Sequence, residues 1–152
     1  MNELLKNIRW LGFEGILITG KPTIYINPYK LAFPDVGDLI LFTDNKPEHC
    51  SPDDVKWLRK GSTIIIGPVE CAKRFQGDVR AIKAGDSIST KGVTIQAVQA
   101  IGSHNKEIES SEGIGLIISF PSGLSVYHTG DTILMQEMHP GMADVLLIPI
   151  NF

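Results

Sequence analysis

The sequence predicts one α/β domain over residues 1–152, and three observations carry that expectation. Short apolar runs recur along the chain, among them Asp38-Leu39-Ile40-Leu41-Phe42 and the stretch 145–150. Clusters of Gly, Pro, Ser and Asn separate these runs, as turns separate strands. Just beyond the run that ends at Phe42, Ser51-Pro52-Asp53-Asp54 reads as a helix start. It offers a capping hydroxyl, a proline at the first helical position and two acids near the positive end of the dipole.

In chain order, the apolar or alternating runs 8–11, 15–19 and 23–26 form a meander, broken at Gly12 and at Gly20-Lys21-Pro22. Residues 38–43 read as a buried strand. The helix that follows Ser51 presents Val55 and Leu58 on one side and stops at Gly61, whose freedom at positive φ suits a helix end. Residues 63–66 form a second buried strand and 70–75 a short helix. Strands follow at 79–82, 87–89 and 93–98, the last two joined by a turn at Thr90-Lys91-Gly92-Val93. Segments 116–120 and 124–127 flank Pro121-Ser122-Gly123, a second hairpin, and 145–150 is a final strand. The polar, irregular stretch 102–113 reads as a surface loop or flap.

Size and composition set the bounds on function. A chain of 152 residues can bury a core, and 43% apolar with 20% charged residues is ordinary for a globular protein. Fourteen Lys plus Arg face 17 Asp plus Glu without a basic run, which argues against a nucleic-acid partner. The apolar runs are too short to span a bilayer and the N-terminus has no secretion signal, so a cytoplasmic location is expected. Cys50 and Cys71 are too few for a disulfide framework. Cys50 lies just before the helix start, where a dipole can lower a thiol pKa, but a buried, inert thiol is the expectation. Gly12-Phe13-Glu14-Gly15 matches no phosphate or dinucleotide loop.

The segment Thr43-Asp44-Asn45-Lys46-Pro47-Glu48-His49-Cys50-Ser51 carries the most information. It follows a buried strand, the position where α/β proteins gather their chemistry. With Trp10-Leu11-Gly12, Ile26-Asn27-Pro28, Ala84-Gly85-Asp86, Lys91-Gly92-Val93, Tyr127-His128-Thr129-Gly130-Asp131-Thr132 and Leu147-Ile148-Pro149-Ile150-Asn151, it forms an ordered set. That set resembles the metallo-β-lactamase superfamily, in the branch of small metal-dependent hydrolases similar to ascorbate-6-phosphate lactonases. The resemblance is collinear over almost the whole chain. It implies a metallo-β-lactamase-like αββα sandwich, with two sheets face to face, helices outside and metals at the sheet edges.

The chain departs from that pattern at the places that hold metal. The branch's loop reads Thr-His-x-His-x-Asp-His, and its ligand positions are Asp44, Lys46, Glu48 and His49 here. The branch's early His is Phe13, and the Asp that supports the site is Asn27. His49, His128 and Asp131 stay as the family has them. The chain ends at Phe152, ahead of the branch's last metal-binding His, so the expected sandwich is C-terminally abbreviated. Four His in all, with His139 in a surface turn, do not rebuild a two-metal, His-rich centre.

A protonated Lys46 has no lone pair to offer a cation. It either points to solvent or lies among Asp44, Glu48 and Asp131, where its charge would replace a metal. A single divalent ion would sit at Glu48, His49 and Asp131, completed by Asp44 or His104. Three carboxylates and one imidazole suit manganese or magnesium better than zinc. The structural alternatives are a His49 hydrogen-bonded within the loop, an Asp131 that binds the amides of its own turn, and a solvated Glu48.

Three functions follow as expectations. The first is a pseudo-enzyme that binds a small molecule or partner, with no metal. The second is a weak one-metal hydrolase of a phosphorylated lactone or ester, with Glu48 and Asp131 as catalytic candidates. The third is a subunit of a homo-oligomer, joined through the abbreviated C-terminal side.

Overall fold

The computed structural model describes residues 2–100, 109, 112–132 and 142–150. Among the described residues, eleven strands form two sheets. The first has the order β1 (Ile8–Gly12), β2 (Gly15–Ile18), β3 (Ile24–Ile26), β4 (Leu39–Leu41), β5 (Ile64–Gly67) and β6 (Val79–Ala81). The second runs β11 (Val145–Leu147), β10 (Ser125–His128), β9 (Ile114–Ser119), β8 (Val93–Gln99) and β7 (Ser87–Thr90). The meander β1-β2-β3 is antiparallel, whereas β3 to β6 pair in parallel. Parallel neighbours need a crossover, and α2 (Pro52–Leu58) and α3 (Val69–Ala72) supply two of them.

Strand alternation builds two cores from the first sheet. Ile24, Ile26, Leu39, Leu41, Ile64 and Ile66 point one way and pack with Ile95, Ala97, Leu116, Ile118 and Val126 of the second sheet. The intervening Tyr25, Ile40 and Ile65 point the other way, under Val55 and Leu58 of α2. Fully burying one such aliphatic side chain is worth about 1.5–3 kcal/mol over leaving it exposed. A strand apolar on both faces therefore has to lie between layers, which places β4 at the centre of its sheet.

The expected hairpins form. Lys91 and Gly92 both take positive φ between β7 and β8, and Gly123 does so between β9 and β10. Ser51 caps α2 and Pro52 opens it, as the sequence reading has it. The helix ends at Leu58 rather than at Gly61, because Arg59 is already extended and the Leu58 carbonyl accepts the Gly37 N–H. Asp54 does more than favour the dipole: its carboxylate accepts the N–H groups of Lys30 and Leu31 and pins the β3–β4 connection. Helix α1 (Asn2–Lys6) was not foreseen; five residues carry too little pattern, and Leu4 alone anchors it in the core.

The cysteines correct a second expectation. Cys50 and Cys71 are fully buried and joined by a disulfide that ties the end of the β4 loop to α3. Neither is a free thiol, because the α2 crossover brings two positions 21 residues apart into one core.

Candidate functional site

Three chain segments meet at one end of the sandwich: the β1–β2 turn, the loop after β4 and the turn after β10. Two features force them together. The Ile114 N–H donates to the Thr43 carbonyl at 2.8 Å, which links the end of β4 to the start of β9 across the sheets. Gly130 has φ +62, and a Cβ there would lie 2.6 Å from the Ile114 carbonyl oxygen and 3.3 Å from Thr43 Cβ. Only glycine lets the β10 turn come this close.

From β4 outward, a buried hydrogen-bond chain fixes the loop. Asn27 takes a positive φ of 47° with no exposed surface, an αL position that Asn tolerates better than most residues. Its Nδ2 donates to Thr43 Oγ1 at 2.8 Å, and its Oδ1 accepts the Thr43 N–H at 3.0 Å. Thr43 Oγ1 donates to Asp44 Oδ2, and the Lys46 N–H donates to Asp44 Oδ1, each at 3.0 Å. His49 Nδ1 lies 2.9 and 2.8 Å from the two Asp44 oxygens. Burial pushes the Asp44 carboxyl upward, but His49, the Lys46 amide and Thr43 together hold it below its usual range. Asp44 is thus an ionised orienting group: it holds a proton on His49 Nδ1 and turns Nε2 toward the site.

That nitrogen faces Glu14. His49 Nε2 lies 3.7 Å from Glu14 Oε2, too far for a hydrogen bond, and Glu14 Oε2 is buried with no hydrogen-bond partner among the described residues. Burial first, then repulsion from Asp44 and Glu48, raises the Glu14 carboxyl from 4.5 to about 7, against the opposing pull of Lys46. Behind it, His128 Nδ1 accepts the Gly130 N–H at 3.1 Å, so its Nε2–H donates to the Glu14 carbonyl at 3.1 Å. Burial lowers the His128 pKa from 6.5 to about 4 and keeps this imidazole neutral. With both nitrogens engaged, His128 is a brace for the Glu14 turn.

Lys46 reaches the β10 turn, where its Nζ pairs with Asp131 Oδ2. Lys46 is about half exposed and Asp131 is 30% exposed, so the pair stands at the rim. Glu48 is half-buried, and its charge is felt at Glu14. Among the described residues, the His, Cys, Asp and Glu ligand atoms that lie within 4.8 Å of one another belong to Glu14, Asp44 and His49. Glu48 and Asp131 are not in that group, and His104 and His139 lie outside the described residues.

Glu14 is the site residue that sequence reasoning missed. Its one signal was a lone acid in a tight turn between two apolar strands, next to Phe13, where the branch has its early histidine. Phe13 itself takes φ +51, a strained conformation for a bulky side chain.

Comparison with known proteins gives consistent results. Residues 7–151 match the model of the beta-lactamase superfamily domain. A UPF0173 metal-dependent hydrolase from Archaeoglobus fulgidus is 27% identical over 95% of this chain and 71% of its own length. One from Methanosphaerula palustris is 28% identical over 95% of this chain and 70% of its own. A solved structure from Parabacteroides distasonis superposes with a TM-score of 0.72 at 25% identity, over 82% of this chain. Igni18, a metallo hydrolase from Ignicoccus hospitalis, does so with a TM-score of 0.65 at 18% identity, over 86% of this chain. The chain spans 60% and 63% of those two structures. No helix of the described residues is long and apolar enough to cross a membrane.

Proposed function

The chain belongs to the beta-lactamase superfamily, and on that premise we propose that it is a metal-dependent-hydrolase-like domain whose two-metal centre is degenerate. In this reading a tethered ammonium group does the electrostatic work of one metal, and the domain binds a small molecule with little or no hydrolase activity. The observation that carries the reading is the ion pair between Lys46 and Asp131. A protonated amine cannot ligate a cation, and while it holds Asp131 that carboxylate is not free to bridge two of them.

The family implies a divalent metal, and the donor set does not fit a pair of them. Asp44 is committed to His49, Thr43 and the Lys46 amide, and Asp131 to Lys46. In the group Glu14, Asp44 and His49, the atoms not so committed among the described residues are Glu14 Oε2 and His49 Nε2, fewer than the three protein ligands of a catalytic zinc site. Metal analysis after chelator-free purification tests the reading. Well under one equivalent of transition metal, unchanged by Asp131→Ala, supports it; a metal content that Asp131→Ala abolishes refutes it.

A second reading, a one-metal hydrolase of an ester or phosphorylated lactone, is favoured by the orphaned Glu14 oxygen. Two ligands of a tetrahedral zinc stand about 3.4 Å apart when each is about 2.1 Å from the ion. Glu14 Oε2 and His49 Nε2 at 3.7 Å are close to that spacing. Such an ion would supply Lewis acidity and an acidified water. Asp44 would orient His49, and His128 would hold the Glu14 turn in position. Metal binding lost in Glu14→Gln, with Asp131→Ala unaffected, would establish this reading over the first.

A further inference from the structure

A cavity of about 500 Å³ opens beside Glu14, between the β1–β2 turn and the segment that begins with β11. One wall carries Trp10 and Phe13, and the other Leu146 and Ile148; all four side chains are exposed. Glu14 and His128 also line it.

Exposed aromatic side chains usually move freely, but these two are held. The Trp10 indole N–H donates to the Phe13 carbonyl at 2.8 Å, and the Phe13 ring stands edge-on to Tyr29 with centroids 5.0 Å apart. The turn also pays for Phe13 in backbone strain at φ +51. An apolar wall fixed before anything binds loses little side-chain entropy on binding, and the volume is that of a small-molecule site.

The charge at the inner end selects the head group. Glu14 lies at the inner end, Asp44 and Glu48 add negative charge around it, and Lys46, which opposes them, is paired with Asp131. A phosphate or carboxylate would meet like charge and an apolar wall. An ammonium group would meet opposite charge, while its hydrocarbon covers the aromatic wall.

We propose that this cleft binds an apolar molecule ending in an ammonium group, with the hydrocarbon against Trp10 and Phe13 and the head against Glu14. The inference rests on the small-molecule-binding reading of the same site, and it names the ligand class.

Isothermal titration of the full chain with octylammonium, octan-1-ol and octanoate tests it, before and after dialysis against EDTA, with metal content measured on each sample. The expected result is octylammonium binding about tenfold or more tighter than octanoate. Glu14→Gln should erase most of that preference. Trp10→Ala, at a side chain 74% exposed and so safe for folding, should weaken octylammonium and octanol alike. Octanoate binding as well as octylammonium, or no octylammonium binding in either sample, overturns the proposal. A metal-loaded sample that keeps the preference would leave this inference standing and remove the metal-free reading, so the two can fail separately.

Discussion

Replacing Glu14 with Gln should make the protein more stable, by an amount that grows from pH 4.5 to about 7 and then levels off. The side chain is 13% exposed, and its carboxyl titrates at about 7 in the folded chain rather than at 4.5. Between those values the folded chain holds a proton that the unfolded chain has released. Stability is therefore fully present below pH 4.5 and falls as pH rises toward 7, by about 1.4 kcal/mol per pH unit. The total loss is about 3 kcal/mol, a large part of an ordinary domain's stability. Gln has nearly the same shape and no charge to bury. Urea unfolding of both proteins near pH 4.5 and near pH 8 would measure the difference. The expected gain for Glu14→Gln is near zero at the acid end and about 2–3 kcal/mol at the alkaline end. A gain equal at both ends, or none near pH 8, would refute the burial argument for this carboxyl.

Other perturbations read the same framework. His128 stays neutral in the fold down to about pH 4, whereas the unfolded chain protonates it near 6.5, so its contribution to stability is present above 6.5 and is lost as pH falls through that window. Nitrogen shifts of the ring should show a neutral Nε2–H form at pH 6; a protonated ring there would contradict the assignment. Asn27→Ala should cost about 2–4 kcal/mol, since it leaves the Thr43 amide without its acceptor and puts alanine at positive φ. Reducing the disulfide between Cys50 and Cys71 should cost about 3 kcal/mol through the loop it closes, read as a lower urea midpoint in dithiothreitol. Identical midpoints in both conditions would count against that link.

Much of the fold was legible because burial leaves a period in the sequence. The doubly apolar strands at 39–41 and 64–66 had to lie between layers, and the cap at Ser51 and the turns at Lys91-Gly92 and Gly123 carry their own chemistry. The beta-lactamase-type sandwich was legible only as a resemblance, through motifs spread along nearly the whole chain. The site was half legible. Asp44, Lys46, His49 and Asp131 stood out because they occupy places where the family has other or matching ligands. Their pairing did not, because Asp44 with His49 and Lys46 with Asp131 depend on side-chain directions that no spacing encodes. Glu14 was hidden for another reason: it comes from a turn some thirty residues before the loop, and its burial exists only after the sheets close. The disulfide was missed in the same way, its cysteines being brought together by a crossover.

The central claim is that a lysine ammonium stands against Asp131 where the family's hydrolases would need a cation. The most direct measurement is anomalous scattering from crystals soaked in manganese or zinc. The account predicts continuous density from Lys46 Nζ to Asp131 and no anomalous peak on that carboxylate. Two well-occupied peaks sharing Asp131, with Lys46 turned away, would contradict it.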